Sequence, residues 1–158
     1  MRKIIDVHSF TKNKLVILTE GIEYARRWEW CSGAVRSRKL SLIHPRQHFE
    51  YDDPSREKQP VLVWLCGGGF TEMDRNVWLA EMAWFAKYGY TVASIDYGVA
   101  FRDRFPQAIV DIKEAIRYLR SNEDEFCIDG SRIAIMGESA GGYYSALAGV
   151  SGNVKEWD

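Results

Sequence analysis

From residue 61 onward, short apolar runs alternate with segments of helical periodicity. Three runs are strand-like, at residues 61–65, 91–95 and 132–136, because each is short and almost wholly apolar. A segment with helical spacing follows each run, at residues 78–86, 106–119 and 139–150. Strands that alternate with helices form parallel sheets with right-handed crossovers. The pattern therefore predicts an α/β fold in which a mostly parallel sheet carries helices on both faces.

The first 60 residues carry a weaker signal. Residues 15–18 and 39–43 are candidate strands, and the second alternates enough to indicate one polar face. We expect them to form an antiparallel edge of the sheet. Residues 51–60 are polar and include two prolines, which predicts a loop. No repeat or shift in composition marks a boundary, so residues 1–158 are predicted to be one domain.

Composition limits the partners of the chain. With 21 Lys and Arg against 22 Asp and Glu, the formal net charge is −1, which gives no reason to expect nucleic acid or an anionic membrane as a partner. No apolar run approaches the ~18 residues of a membrane span, and residues 1–8 lack the apolar core of a secretion signal. The three cysteines have neither metal-ligand nor redox-motif spacing. We therefore expect a cytoplasmic protein.

The pentapeptide Gly137-Glu138-Ser139-Ala140-Gly141 follows a predicted strand and opens a predicted helix. A serine on such a sharp turn needs small neighbours two positions away on each side, and its hydroxyl then stands clear of the sheet. The helix N-terminus beneath it can stabilise an oxyanion. The alternative is a glycine-rich turn in which Ser139 merely caps the helix.

A glycine cluster, Cys66-Gly67-Gly68-Gly69-Phe70, ends an earlier strand. Glycines leave backbone N–H groups unshielded, and acyl transfer needs such donors around the developing oxyanion. Because both segments follow parallel strands, they are expected at the carboxyl edge of one sheet, where ligands of open α/β sheets bind. The alternative is a flexible connector.

Together with the segments 94–97 and 106–119, these motifs resemble the amino-terminal half of an α/β-hydrolase. The resemblance is to the carboxylesterases and acetyl or feruloyl esterase-like enzymes related to the hormone-sensitive lipase group. It implies a small-molecule ester substrate and no metal or organic cofactor. It also assigns site roles, with one residue as nucleophile and three as N–H donors to the oxyanion: Ser139, then Gly68, Gly69 and Ala140.

Two departures from the family pattern stand out. Cys66 replaces the histidine that usually begins the glycine loop, and we interpret it as a buried packing thiol, with a catalytic thiol as the alternative. In this fold the acid and the histidine follow the nucleophile, but residues 151–158 contain no histidine. We therefore expect a fold that is truncated after the nucleophile helix and lacks the acid and the base of the triad. The histidines precede Ser139, at His8, His44 and His48.

Asp96 ends a strand at the expected edge, and we interpret it as a carboxylate that braces a loop. The Arg102-Asp103-Arg104 cluster is interpreted as solvated loop charge, and the six tryptophans as core residues. Asp158 and Glu156 are not assigned to a triad.

Three functions follow from these features. The main prediction is a serine carboxylic ester hydrolase; the alternatives are a non-catalytic remnant or binding module, and an acyl hydrolase of the prolyl-peptidase or thioesterase kind. Without a positioned base, the chain is expected to be nearly inactive. We also expect self-association through an exposed sheet edge at Ile133 and Ile135.

Overall fold

The computed structural model describes residues 15–45 and 57–158. Its described part contains five strands, β1 (Val16–Glu29), β2 (Ala34–Pro45), β3 (Gln59–Leu65), β4 (Thr91–Ile95) and β5 (Ile128–Gly137). It contains three α-helices and a final 3-10 turn, α1 (Leu79–Lys87), α2 (Gln107–Ser121), α3 (Ala140–Val150) and Lys155–Trp157. His8 and His48 lie outside the described residues.

The described strands form one sheet in the order β1-β2-β4-β3-β5. β3 pairs in parallel with both β4 and β5, whereas β2 is antiparallel to both β1 and β4. The predicted antiparallel addition is confirmed, but the described sheet is evenly mixed rather than mostly parallel. The reason is the long β1–β2 hairpin. It adds two antiparallel pairings, β1–β2 and β2–β4, to the two parallel pairings, β3–β4 and β3–β5.

Helices cover both faces of the sheet, as the sequence predicts. On one face, α2 and α3 pack over β3 and β4, with Ile109 and Ile112 of α2 fully buried. On the other face, Met82 and Ala86 of α1 pack against Trp64. These two apolar layers hold the carboxyl ends of β3, β4 and β5 at a common edge.

Three strands are markedly longer than their sequence pattern indicates: β1, β2 and β5. β1 continues to Glu29 through two register shifts against β2. The polar run at residues 19–21 is exposed, so the edge strand has no continuous apolar face for the pattern to detect. β5 begins at Ile128, and its pairing with β3 steps from Asp129 to Ile133, so the intervening residues form a bulge.

β5 has only β3 as a partner within the described chain and is therefore an edge strand there. Ile133 and Ile135 do not present their side chains fully to solvent, because both are partly buried against the core under α2 and α3. None of the described helices has the length and apolar character needed to cross a membrane.

Candidate active site

Ser139 lies in the turn between β5 and α3. Its backbone angles are φ 51° and ψ −121°, which place a non-glycine residue in the left-handed half of conformational space. Such a conformation costs roughly 1–3 kcal/mol and persists only where the surroundings fix it. The residue is exposed. The predicted strained strand-to-helix turn is thus confirmed, and Ser139 does not sit inside a regular helix.

The two glycines that flank Ser139 are required by the end of β3. A Cβ added at Gly141 would lie 2.0 Å from the carbonyl oxygen of Leu65, and one added at Gly137 would lie 2.6 Å from the same oxygen. Leu65 is itself fully buried. The spacing of the pentapeptide therefore reflects close packing of the turn on the adjacent parallel strand.

The glycine loop lies beside this turn. The N–H group of Gly67 donates to Oε1 of Glu138 at 2.8 Å, and the N–H group of Glu138 donates to the Leu65 carbonyl at 3.4 Å. A Cβ at Gly67 would lie 2.4 Å from the same carboxylate oxygen. The two segments occupy one edge of the sheet, as the sequence predicts. Glu138 joins them, a role that the sequence alone did not reveal.

Beyond Gly67 the loop folds into a turn that leaves donors exposed. The Gly68 carbonyl accepts hydrogen bonds from the N–H groups of Thr71 and Glu72, at 3.1 Å and 3.0 Å. Gly69 has φ 60°, and a Cβ there would meet nothing within 4 Å. Within the described residues, the N–H groups of Gly68 and Gly69 have no acceptor.

The third predicted donor, Ala140, is the first residue of α3 and is buried. Its N–H group belongs to the first turn, where helices have no internal acceptor. The helix continues normally from Ser139, whose carbonyl accepts the N–H group of Tyr143 at 3.0 Å. The three predicted donors therefore lie in the two segments that meet at this edge, and their arrangement around Ser139 Oγ stays a prediction.

Cys66 is buried at the start of the glycine loop. Its carbonyl accepts the hydroxyl of the buried Tyr97, and its Sγ contacts the carbonyl of Gly67 at 3.3 Å. Burial raises the pKa of the Cys66 thiol, and the nearby carboxylate of Glu138 also raises it, whereas a hydrogen bond from the Asp74 backbone acts in the opposite direction. A thiol held in its neutral form is a poor nucleophile. The contacts therefore favour a packing role.

Three aromatic rings connect the glycine loop with α3, the helix that begins directly after Ser139. The ring of Phe70 lies edge-on to those of Tyr143 and Tyr144, with centroid separations of 5.5 Å in both pairs. Tyr144 also contacts Tyr97. Phe70 and Tyr143 are exposed, so the cluster presents an apolar wall between the glycine loop and α3.

No described histidine lies at this edge. His44 pairs with Ile17, and its neighbour Ile43 lies opposite Val92, near the amino end of β4. At ~3.3 Å per residue, His44 is roughly 13 Å along the strand direction from the carboxyl end of β4. His44 therefore lies too far along the sheet to contact Ser139.

The carboxylates near the edge have other partners. Asp96 accepts the N–H group of Lys39 at 3.0 Å and pairs with Arg75 at 3.0 Å, so it braces the loop as interpreted. Asp158 pairs with Lys113 at 2.7 Å. In the described ranges, no group of three His, Cys, Asp or Glu side chains forms a metal-ligand cluster.

Comparison with known proteins decides the family. The family model BD-FAE matches residues 50–158, well over half of the chain. The chain belongs to this family. The match covers β3, the glycine loop, the serine turn and α3, which are the segments that carry the resemblance to α/β-hydrolase esterases.

Two curated relatives come from Mycobacterium tuberculosis (strain ATCC 25618 / H37Rv). Esterase LipC is 37% identical in an alignment of 134 positions that covers 77% of this chain and 33% of LipC. Probable carboxylic ester hydrolase LipM is 33% identical over 95 residues, which are 60% of this chain and 22% of LipM. This chain thus spans about one third or less of the length of these relatives.

Solved structures share the fold. A bacterial heroin esterase aligns with a TM-score of 0.68 at 27% identity, covering 89% of this chain and 41% of that protein. Native esterase 2 of Thermogutta terrifontis aligns with a TM-score of 0.64 at 23% identity, covering 86% and 44%. The resemblance to esterases of the α/β-hydrolase type is confirmed at the level of family and fold.

Proposed function

We propose that this chain carries the nucleophile and the oxyanion hole of a carboxylic ester hydrolase. Ser139 is the nucleophile, and the N–H groups of Gly68, Gly69 and Ala140 are the oxyanion donors. The observation that carries the proposal is the strained, exposed Ser139 beside a glycine loop in which the N–H groups of Gly68 and Gly69 have no acceptor among the described residues.

The reaction is acyl transfer in two steps. Ser139 Oγ attacks the ester carbonyl carbon and loses its proton to a base, while the three N–H groups hold the negative oxygen. Collapse of the tetrahedral intermediate expels the alcohol, which takes up the proton, and leaves an acyl-serine. Water then attacks the acyl carbon by the same route and releases the acid and the free serine.

An ester with a short acyl group or an aryl alcohol fits the surroundings of Ser139. The exposed rings of Phe70 and Tyr143 offer apolar surface next to the serine. The names of LipC and LipM, an esterase and a probable carboxylic ester hydrolase, favour an ester bond over the peptide or thioester bond of the alternative acyl hydrolases.

A non-catalytic binding module is the competing function. It is favoured by one observation, which is that His44 lies at the far end of β2 from Ser139. A serine without a positioned base is a weak nucleophile, although oxyanion donors and binding alone can leave ~10³-fold acceleration over water.

The proposal is tested by covalent labelling. One of the solved structures is Thermogutta terrifontis esterase 2 phosphorylated by paraoxon. We expect paraoxon to transfer its phosphoryl group to Ser139, as seen by intact-mass and peptide mass spectrometry. Added imidazole, acting as an external base, should accelerate the labelling.

Two variants complete this test. Ser139→Ala should remove the label, whereas Ser145→Ala should retain it, because the Ser145 hydroxyl lies on the same helix but bonds the Gly141 carbonyl at 2.6 Å. Cys66→Ser should label at nearly the wild-type rate. Absence of any label on Ser139, with and without imidazole, would leave the binding module as the better account.

We also propose a cytoplasmic location. Support comes from the three free cysteines, Cys31, Cys66 and Cys127, which suit a reducing compartment. The formal net charge of −1 supports neither nucleic acid nor an anionic membrane as a partner.

A further inference from the structure

The glycine loop is held by a second loop, the one that follows β4. The N–H group of Ala100 donates to the carbonyl of Phe70 at 2.7 Å. Phe70 has φ 69° and follows Gly69, which has φ 60°. Two consecutive residues in left-handed conformations need an external contact to fix them, since Phe70 does not favour this region. Ala100 supplies such a contact at the carbonyl of Phe70.

Asp103 closes the loop that carries Ala100. Its side chain is only 4% exposed, although it lies in the cluster that the sequence interprets as solvated, so that interpretation is wrong for this residue. Its Oδ2 accepts the N–H group of Val99 at 3.3 Å, and its own N–H group donates to the Val99 carbonyl at 2.9 Å. A Cβ at Gly98 would lie 3.1 Å from the Asp103 Cβ, so the carboxylate sits tightly over the loop.

Arg38 of β2 fixes Asp103 from the other side. Its Nη2 lies 2.6 Å from Asp103 Oδ1, as an ion pair and not as an aligned hydrogen bond. Its Nε donates to the fully buried Asp111 of α2 at 2.9 Å. Asp111 accepts further bonds from Arg27 and Gln107, both at 2.8 Å. Arg38 is therefore locked in place by the fold.

We infer that Asp103 is a positioning residue for the oxyanion loop: Arg38 holds its carboxylate, the carboxylate holds the loop around Ala100, and Ala100 holds Phe70 and the glycines before it. The inference rests on the proposed function only for its catalytic consequence. This series of contacts begins at Arg38 in the β1–β2 hairpin and ends at the sheet edge that carries Ser139. Its last contact is the main-chain hydrogen bond from Ala100 to Phe70.

The test is amide hydrogen exchange on the whole chain, with Asp103→Ala and Asp103→Asn. Exchange at Ala100 should accelerate at least tenfold in Asp103→Ala, because its N–H group loses the fixed Phe70 carbonyl. Amides of β3 and β4 should keep their relative protection. Asp103→Asn retains an acceptor for the Val99 N–H group and should show a smaller acceleration, which keeps the test decisive if the alanine variant does not fold.

Glu29→Gln is the matched control. Glu29 is also a buried carboxylate paired with an arginine of β2, Arg36, at 2.7 Å, but none of its hydrogen bonds reaches the loop around Ala100. It should leave Ala100 exchange unchanged. Unchanged exchange at Ala100 in both Asp103 variants, or equal acceleration in Glu29→Gln, would overturn the inference.

The catalytic consequence is measured separately. Paraoxon labelling of Ser139 should slow at least tenfold in Asp103→Ala, and Asp103→Glu should recover part of the rate. If wild-type Ser139 takes no label, the proposed function fails, while hydrogen exchange still decides whether Asp103 positions the loop.

Discussion

Two glycines of α3 provide a sharp test of the site's packing, because the same substitution should act in opposite directions at each. At Gly141 an added Cβ would lie 2.0 Å from the Leu65 carbonyl oxygen and 2.7 Å from its carbon. At Gly149, on the same helix, an added Cβ would meet nothing within 4 Å. Gly141→Ala and Gly149→Ala therefore form a matched pair.

The structure sets the expected magnitudes. An ordinary carbon–oxygen contact is about 3.3 Å, so Gly141→Ala forces the start of α3 and the end of β3 apart by more than ~1 Å. Overpacking of this severity should lower the free energy of unfolding by about 3 kcal/mol. Gly149→Ala replaces a glycine near the end of the helix with a better helix former and should raise the free energy of unfolding by about 0.5 kcal/mol. For a chain of this length, 1 kcal/mol corresponds to roughly 3 °C in Tm. The two variants should thus differ by roughly 10 °C.

Urea unfolding, followed by far-UV circular dichroism and tryptophan fluorescence, measures both free energies of unfolding. Equal slopes with urea would show that the variants change stability and not the unfolded state. The packing account fails if Gly141→Ala unfolds within 1 kcal/mol of the wild type, or if Gly149→Ala destabilises as much as Gly141→Ala.

Three further predictions follow from burial and from the sheet edge. Iodoacetamide at pH 8 should alkylate the exposed Cys31 well before Cys66, because burial both shields the Cys66 thiol and raises its pKa; equal rates by peptide mass spectrometry would contradict the packing role. Burial also raises the pKa of Tyr97 above 10.0, so the folded state keeps a proton that the unfolded state releases, and stability should fall above about pH 10 by ~1.4 kcal/mol per pH unit from this group. Tyr97→Phe should remove that share of the slope in alkaline urea titrations, and an unchanged slope would contradict this reasoning. Finally, we propose that the chain self-associates through β5, so Ala134→Lys should lower the sedimentation coefficient at high concentration while Ala146→Lys, also at an exposed site, does not; a wild type that is monomeric at all concentrations would refute this.

The parts of the site that the sequence predicts are those fixed by local exclusion of volume. Gly137, Gly141 and the strand before them specify the turn, because any side chain at these glycines would collide with Leu65. The buried parallel strands β3 and β4 can also be predicted, since both of their faces are covered and most of their residues are apolar. Exposure blurs this signal in β1, where polar residues occupy an edge strand and its register shifts twice.

Long-range polar contacts could not be predicted from the sequence in this way. The sequence around Asp103 suits a solvated loop, and the sequence around Glu138 indicates the serine turn without a partner for its side chain; yet each carboxylate anchors the glycine loop or its support. Their partners are fixed only once β2 pairs with β4 and β5 pairs with β3, so no local pattern could reveal them.

This difference has a consequence for how the site is built. The serine turn is shaped by close backbone packing, which excludes a side chain at Gly137 and Gly141. The glycine loop is instead held by charged side chains that come from the β1–β2 hairpin and from α2. Removing the arginine of a buried ion pair such as Arg38–Asp103 leaves a carboxylate without its partner, which is strongly destabilising. The geometry of the proposed oxyanion hole is therefore more sensitive to substitutions around Arg38 than to substitutions on the exposed face of α3, even though α3 carries Ser139 at its start.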